Sequence, residues 1–209
     1  MSLAPKARGP RRTPRESVEF RDRIIQVARE LFVEEGFEAV SIRRIAQRAG
    51  CPPMTFYVFF KSKRALLRHI WEDVFTDHLA ACEAAVATAA EGLEARLVAL
   101  LRALARYWLD HPDNYRVVFM HQDKVADAEE AYYVDSSGIR ERLRLVDALI
   151  EDGVAAGVFR ATDSELAAQV VLVAMVGLAH ALITIPEYPW RRDQLADATI
   201  ESLLRGLRA

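Results

Sequence analysis

Between residues 41 and 63 the chain sets out a run of proton donors with no acid among them: Ser41, Arg43, Arg44 and Gln47, then Thr55 and Tyr57, then Lys63. Guanidinium and amide groups can reach the edges of bases, and arginine in particular pairs with guanine through two parallel hydrogen bonds. Hydroxyls, and a lysine at a helix start, suit phosphate oxygens. Arg43 is the first candidate for a base or its flanking phosphate, with Arg44 and Gln47 next.

Catalysis finds no comparable foothold. The chain has no P-loop, HExxH, GxSxG, dinucleotide fingerprint or Glu-x-x-His pair. His69 with Glu72 comes nearest to a metal pair and reads as a solvated or satisfied couple, so neither metal, cofactor nor enzyme activity is expected. Cys51 and Cys82 lie in no CxxC or Cys/His cluster, which fits a reducing cytoplasm and neither a disulfide nor a zinc framework.

The charge is divided. Residues 1–70 hold 15 Lys and Arg against 7 acids, net +8, while residues 71–209 hold 13 against 23, net −10, inside a whole-chain charge of −2. A basic first third neutralises phosphates, and an acidic remainder is not drawn to DNA.

The elements that must position these groups are helices. Apolar residues recur at three- and four-residue spacing with no sustained alternation, so the fold class expected is all-α. Thr13, Pro14 and Glu16 form a capping box ahead of a stripe at Ile24, Val27, Ala28, Leu31 and Phe32, which Gly36 ends. Ser41 caps a short helix that Gly50 closes in the left-handed conformation. A third, brief helix runs from Pro52 or Pro53 to Val58, because proline is tolerated only in a first turn. Ser62 caps a long helix to about Ala89, facing inward at Leu66, Leu67, Ile70, Val74 and Phe75. Further helices are expected from Gly92 to Asp110, from Asp113 to about Gln122, from Gly138 to about Ala155 and, after a Thr162–Glu165 capping box, from 164 to 185. An acidic connection through Glu129 and Glu130 precedes the third of these. The last helix, Asp193 to Leu207, would bury Leu195, Ala198, Thr199, Leu203 and Leu207.

Two short helices around a glycine turn, buttressed by a third, can push one helix into a major groove about 12 Å wide. Ile25, Ala28, Leu31, Phe32, Gly36, Phe37, Ser41, Ile45, Ala46, Ala49, Gly50, Tyr57, Phe60, Lys63 and Leu66 together resemble the signature of tetracycline-repressor-like (TetR) regulators over residues 20–70. The resemblance implies a three-helix DNA-binding head, a larger helical ligand-binding body and a homodimer built by the last two long helices. It implies further that Tyr57 and Lys63 contact phosphates and that Pro53, Met54 and Thr55 face the groove, with Ser41 in the same set. Pro52, Pro53, Met54 and Val58 depart from the family pattern, so base readout should lean on thymine methyls, Arg43 and DNA shape. Phe56, Phe59 and Phe60 are expected to pack the head.

The domains expected are a basic arm at 1–15, a helix-turn-helix domain at 16–68 and a ligand-binding and dimerisation domain at 69–209. The arm either reaches a minor groove or serves only solubility. It is not followed by an apolar segment of the kind a secretory leader needs. Candidates for an effector pocket are Tyr107, Trp108, Tyr115, Phe119, His121 and His180, which join apolar bodies to polar tips. The apolar run 166–185 is read as an interface helix rather than a membrane span. The dimer surface is placed at Val170, Val173, Ala174, Gly177, Ala181, Leu203 and Leu207, with Gly177 admitting either a partner helix or closer packing within the protomer. The function expected is a cytoplasmic regulator that leaves a palindromic operator on binding a small molecule. A helical ligand-binding protein without DNA binding and a ligand-dependent activator are the alternatives.

Overall fold

The computed structural model describes residues 13–120, 139–160 and 163–209. Expectations for the arm through Arg12, for His121, for the connection at Glu129 and Glu130 and for Thr162 lie outside these residues. The described residues form helices and one isolated bridge, Phe159 with Arg208. They divide into two compact units, Met1–Ile70 and Trp71–Ala209.

In the first unit α1 spans Pro14–Glu35. The Thr13 hydroxyl accepts from the Glu16 amide at 3.2 Å and the Glu16 carboxylate accepts from the Thr13 amide at 2.7 Å, so both orphan donors of the first turn are met. Gly36, at φ +83°, ends the helix. The buried face holds Phe20, Ile24, Ile25, Ala28, Leu31 and Phe32, with Val27 only half-buried. Helix α2 spans Ile42–Arg48, capped by the Ser41 hydroxyl on the Arg44 amide at 3.1 Å. Its exit turn needs a left-handed residue: Gly50 sits at φ +75°, and the Cys51 amide returns to the Ala46 carbonyl at 2.9 Å. Helix α3, Pro53–Phe59, follows at once. Phe56 and Phe60 are buried and Phe59 half-buried against Phe20, 5.9 Å between ring centroids. Helix α4 spans Lys63–Ala87, with Ser62 accepting from the Ala65 amide at 3.0 Å. Leu66, Leu67 and Ile70 are its buried residues in this unit.

The second unit is built around α5, Leu93–Asp110, whose Leu97, Leu100, Leu101 and Leu104 lie in a core with Cys82 of α4. Short α6 spans Pro112–Phe119, starting one residue earlier and ending three earlier than expected. Helix α7, Ile139–Ala155, adds Val146, Leu149 and Ile150 to the core. Helix α8, Ser164–Thr184, adds Ala168, Val171, Met175, Leu178 and Leu182, and its first turn is capped by Asp163 accepting from the Leu166 amide at 3.0 Å. Helix α9, Arg192–Leu207, buries Ile200, Leu204 and Leu207. The face expected for α9 is therefore rotated: Ala198 is exposed, Thr199 half-buried, and Leu203 only half-buried. Burial selects the residues that meet α5 and α8, and an apolar pattern spread around the helix cannot single them out.

Candidate nucleic-acid interface and effector site

The head first shows which of its cations are already occupied. The Lys63 ammonium donates to the carbonyls of Phe37 at 2.6 Å and Val40 at 2.8 Å, and lies 4.2 Å from the Phe37 ring centroid. Burial pulls its pKa below the ordinary lysine range, opposed by the nearby Glu38. Its donors thus tie the end of the α1–α2 connection to the start of α4. Arg44 pairs with Glu35 at 2.9 Å, and Arg48 with Glu34 at 2.8 Å and Glu30 at 3.4 Å. These ion pairs fasten α2 to α1 and neutralise two of the helix's three arginines.

What remains is a smaller set. Arg43 and Gln47 are exposed one turn apart on one face of α2, and neither side chain makes a hydrogen bond or ion pair with a described residue. Tyr57 is exposed on α3, its ring edge-on to Phe56 and its hydroxyl without a described partner. Met54 and Val58 stand beside it at 75% and 76% exposure, Pro53 is exposed and Thr55 half-buried. Lys61, between α3 and α4, is exposed with no described partner. Sequence reasoning passed over Lys61 in favour of Lys63, and the basic pair flanking Ser62 was the available signal. The exposed groups of the head thus include Met54, Tyr57 and Val58 on α3, Arg43 and Gln47 on α2, and Lys61 between α3 and α4. Such a surface can offer methyl and ring contact to bases and charge to phosphates.

In the body, most of the effector candidates converge. Trp108 packs edge-on against Tyr107, Tyr115, Phe119 and Phe75, at centroid distances of 5.2, 5.7, 5.3 and 6.2 Å. The Tyr107 hydroxyl donates to the Val74 carbonyl at 3.1 Å, and Tyr115 shares a hydrogen bond with His180 Nδ1 at 3.1 Å. Tyr107, Trp108 and Tyr115 are buried, while Phe119 and His180 are exposed at the cluster's edge. His78 of α4 completes the cluster, buried against Tyr107 and Trp108. It had no sequence signal beyond lying in the apolar register of α4.

Two family patterns match this chain. Residues 24–70 match the one described as bacterial regulatory proteins, tetR family, and residues 90–207 match a tetracyclin repressor-like C-terminal domain. The chain belongs to the TetR family. It is a transcriptional regulator whose head is a helix-turn-helix DNA-binding domain. The chain is 28% identical over 149 residues to the HTH-type transcriptional repressor KstR2 of Mycolicibacterium smegmatis, covering 71% of each chain. Its fold is similar to the TetR-family regulator PfmR of Thermus thermophilus, with 29% identity, a TM-score of 0.70 and coverage of 90% and 100%. It is likewise similar in fold to FadR of Bacillus subtilis, solved with stearoyl-CoA, with 17% identity, a TM-score of 0.72 and coverage of 88% and 98%.

One surface of this TetR-family body remains to be placed. Helix α8 is long and apolar enough by length and composition to cross a membrane, yet only 39% of its most apolar stretch is buried. Leu166, Val170, Val173 and Gly177 recur along one exposed side, with Ala174 and Ala181 half-buried beside them. Leu166 and Val170, with Leu203 and Gly206 of α9, border a groove of about 340 Å3. Leu207, expected on the partner-facing surface, is 6% exposed inside the protomer core.

Proposed function

We propose that the protein is a cytoplasmic homodimeric repressor that binds a palindromic operator through α2 and α3 and leaves it when an apolar small molecule binds the body. The observation that carries this reading is the donor set around the helix-turn-helix, Arg43, Gln47, Tyr57 and Lys61, exposed and without described internal partners. Exposed cations and amides beside an apolar recognition helix are the equipment of groove binding. The Met54 and Val58 side chains suit thymine methyls, and Arg43 suits a guanine edge or a flanking phosphate. Lys63 serves instead to hold α4 against the head.

The unpartnered side of α8 supports a second copy of this chain as its occupant, with Val170, Val173, Ala174, Gly177, Ala181 and Leu203 at the seam. A two-fold dimer matches the symmetry of a palindrome with half-sites about one DNA turn apart or more. Effector action follows from differential affinity. A ligand that prefers one arrangement of the body displaces α4, and α4 begins in the head, so the spacing of the paired recognition helices changes.

Selection of duplexes from a random pool at fixed, near-physiological salt tests this directly. Enrichment of a palindrome is the expected result. No enrichment by a verified folded dimer would point instead to a helical ligand-binding protein without DNA affinity.

A further inference from the structure

His78 stands out among the polar groups of the body's aromatic cluster. Its side chain is 5% exposed, with the Tyr107 and Trp108 rings at centroid distances of 4.8 and 4.6 Å. Its neighbours have settled their polar tips within the protein. Tyr107 donates to the Val74 carbonyl at 3.1 Å and accepts from Asn114 at 3.2 Å, and Trp71 Nε1 donates to the Val117 carbonyl at 2.9 Å. Tyr115 is joined to His180 at 3.1 Å. By contrast, Nε2 of His78 is buried and no described residue meets it. Native structures rarely leave such a group unmatched without a use for it.

Nε2 is the ring nitrogen that no described residue meets, and is therefore the atom left for a ligand. Burial pushes the imidazole pKa down to about 4, against the smaller opposing pull of Leu104, so the ring is neutral at pH 7. A neutral imidazole between two aromatic faces offers a carboxylate or a phosphate no charge in exchange for its lost hydration. It can hold a hydroxyl or a neutral N–H.

We infer that His78 is the polar anchor of the effector site, accepting at Nε2 a hydrogen bond from a hydroxyl or neutral N–H on an otherwise apolar effector whose body lies against Tyr107 and Trp108. This rests on the reading of the body as an effector-binding unit. The anchor orients the ligand and the aromatic faces supply contact area, the division of labour usual in apolar pockets. Removing a hydrogen-bond donor from the ligand leaves the buried acceptor unpaired, so discrimination falls on that one group.

A matched pair of probes tests the inference on the full chain: 2-naphthol, and 2-methoxynaphthalene, which has the same rings and no donor. 2-Naphthol is expected to bind roughly tenfold more tightly, the equivalent of one hydrogen bond. In His78→Phe the preference is expected to fall to near unity. In the wild-type protein labelled with 15N-histidine, 2-naphthol should move the Nε2 resonance of His78 upfield and the ether should not, which keeps the test decisive should His78→Phe fail to fold. Equal affinity for the two probes, binding of neither, an unmoved His78 resonance or an unchanged preference in a folded His78→Phe would each overturn the inference. Operator selection on the same preparation separates the two proposals. Probe failure with operator binding intact removes only the anchor, whereas a His78-dependent preference without operator binding removes only the repressor reading.

Discussion

The Lys63 ammonium reaches back from the first residue of α4 to the Phe37 carbonyl, 2.6 Å away, while resting over the face of the same residue's ring. One side chain thus satisfies backbone acceptors of the α1–α2 connection and covers an aromatic face. Replacing it with methionine keeps the apolar stem and leaves those carbonyls unpaired. Lys63→Met is expected to destabilise the head by about 1–3 kcal/mol, measured by urea unfolding. The salt dependence of DNA binding should barely change, whereas a phosphate-bound lysine would lower the slope by about one.

Arg43 and Lys61 should separate base reading from backbone attraction. Arg43→Ala is expected to relax preference at one operator position by about 1–3 kcal/mol. Lys61→Ala should weaken all duplexes alike and reduce the salt slope by about one. Titrations against a panel of single-position operator variants at two or more salt concentrations distinguish the two patterns. Unchanged preference in Arg43→Ala at every position would remove Arg43 from the reading set.

Val173, 72% exposed on α8, is more exposed than Leu166 or Val170 on the apolar side assigned to the partner. Val173→Asp places a charge in that seam and is expected to weaken dimerisation by at least ~100-fold, or about 3 kcal/mol. The protomer's own fold should be little affected, because the side chain packs against nothing it needs. Sedimentation equilibrium reads the first effect and circular dichroism the second. A dimer as tight as the wild type would place the interface elsewhere.

Gly153 lies in α7 directly beneath the Phe159 ring, which occupies the space a Cβ would take. Gly153→Ala should therefore lower stability, since overpacking costs about 1–3 kcal/mol against a helix-propensity gain of about 1 kcal/mol. In a Phe159→Ala background the same change should become neutral or stabilising. Thermal melts of the four chains close the cycle.

His78 also sets a pH dependence. Its pKa is about 4 in the folded protein against an ordinary 6.5, so between those values the unfolded chain binds the proton and the folded chain does not. Stability from this group is complete above pH 6.5 and is lost as pH falls toward 4, by about 2 kcal/mol between pH 7 and pH 5. His78→Phe should lack that component of the slope. Urea midpoints of the two proteins at pH 7 and pH 5 give the comparison.

The all-α class, the caps at Thr13, Ser41 and Ser62, and the left-handed glycines at 36 and 50 were legible from the chain alone, because each depends on residues within one or two turns of one another. The family was equally legible, since its signature is a local run of packing and capping residues in the head. Which donors are available for a ligand was not. Lys63 and Arg44 read like Lys61 and Arg43 in sequence, but they differ once Phe37, Val40 and Glu35 fold against the first pair.

The same limit governs α8, α9 and His78. An evenly apolar helix does not state which side faces its own core, and tertiary packing alone put Leu207 inside and left Val173 outside. His78 carries no local motif. Its significance arises where tertiary packing sets the Tyr107 and Trp108 rings against one imidazole and leaves its Nε2 buried without a described partner. Sequence determines what is decided by neighbours along the chain, through hydrogen bonds of short reach and the periodicity of burial. Tertiary structure decides which polar groups are left for a partner, because that depends on residues distant in sequence competing for the same donors and acceptors.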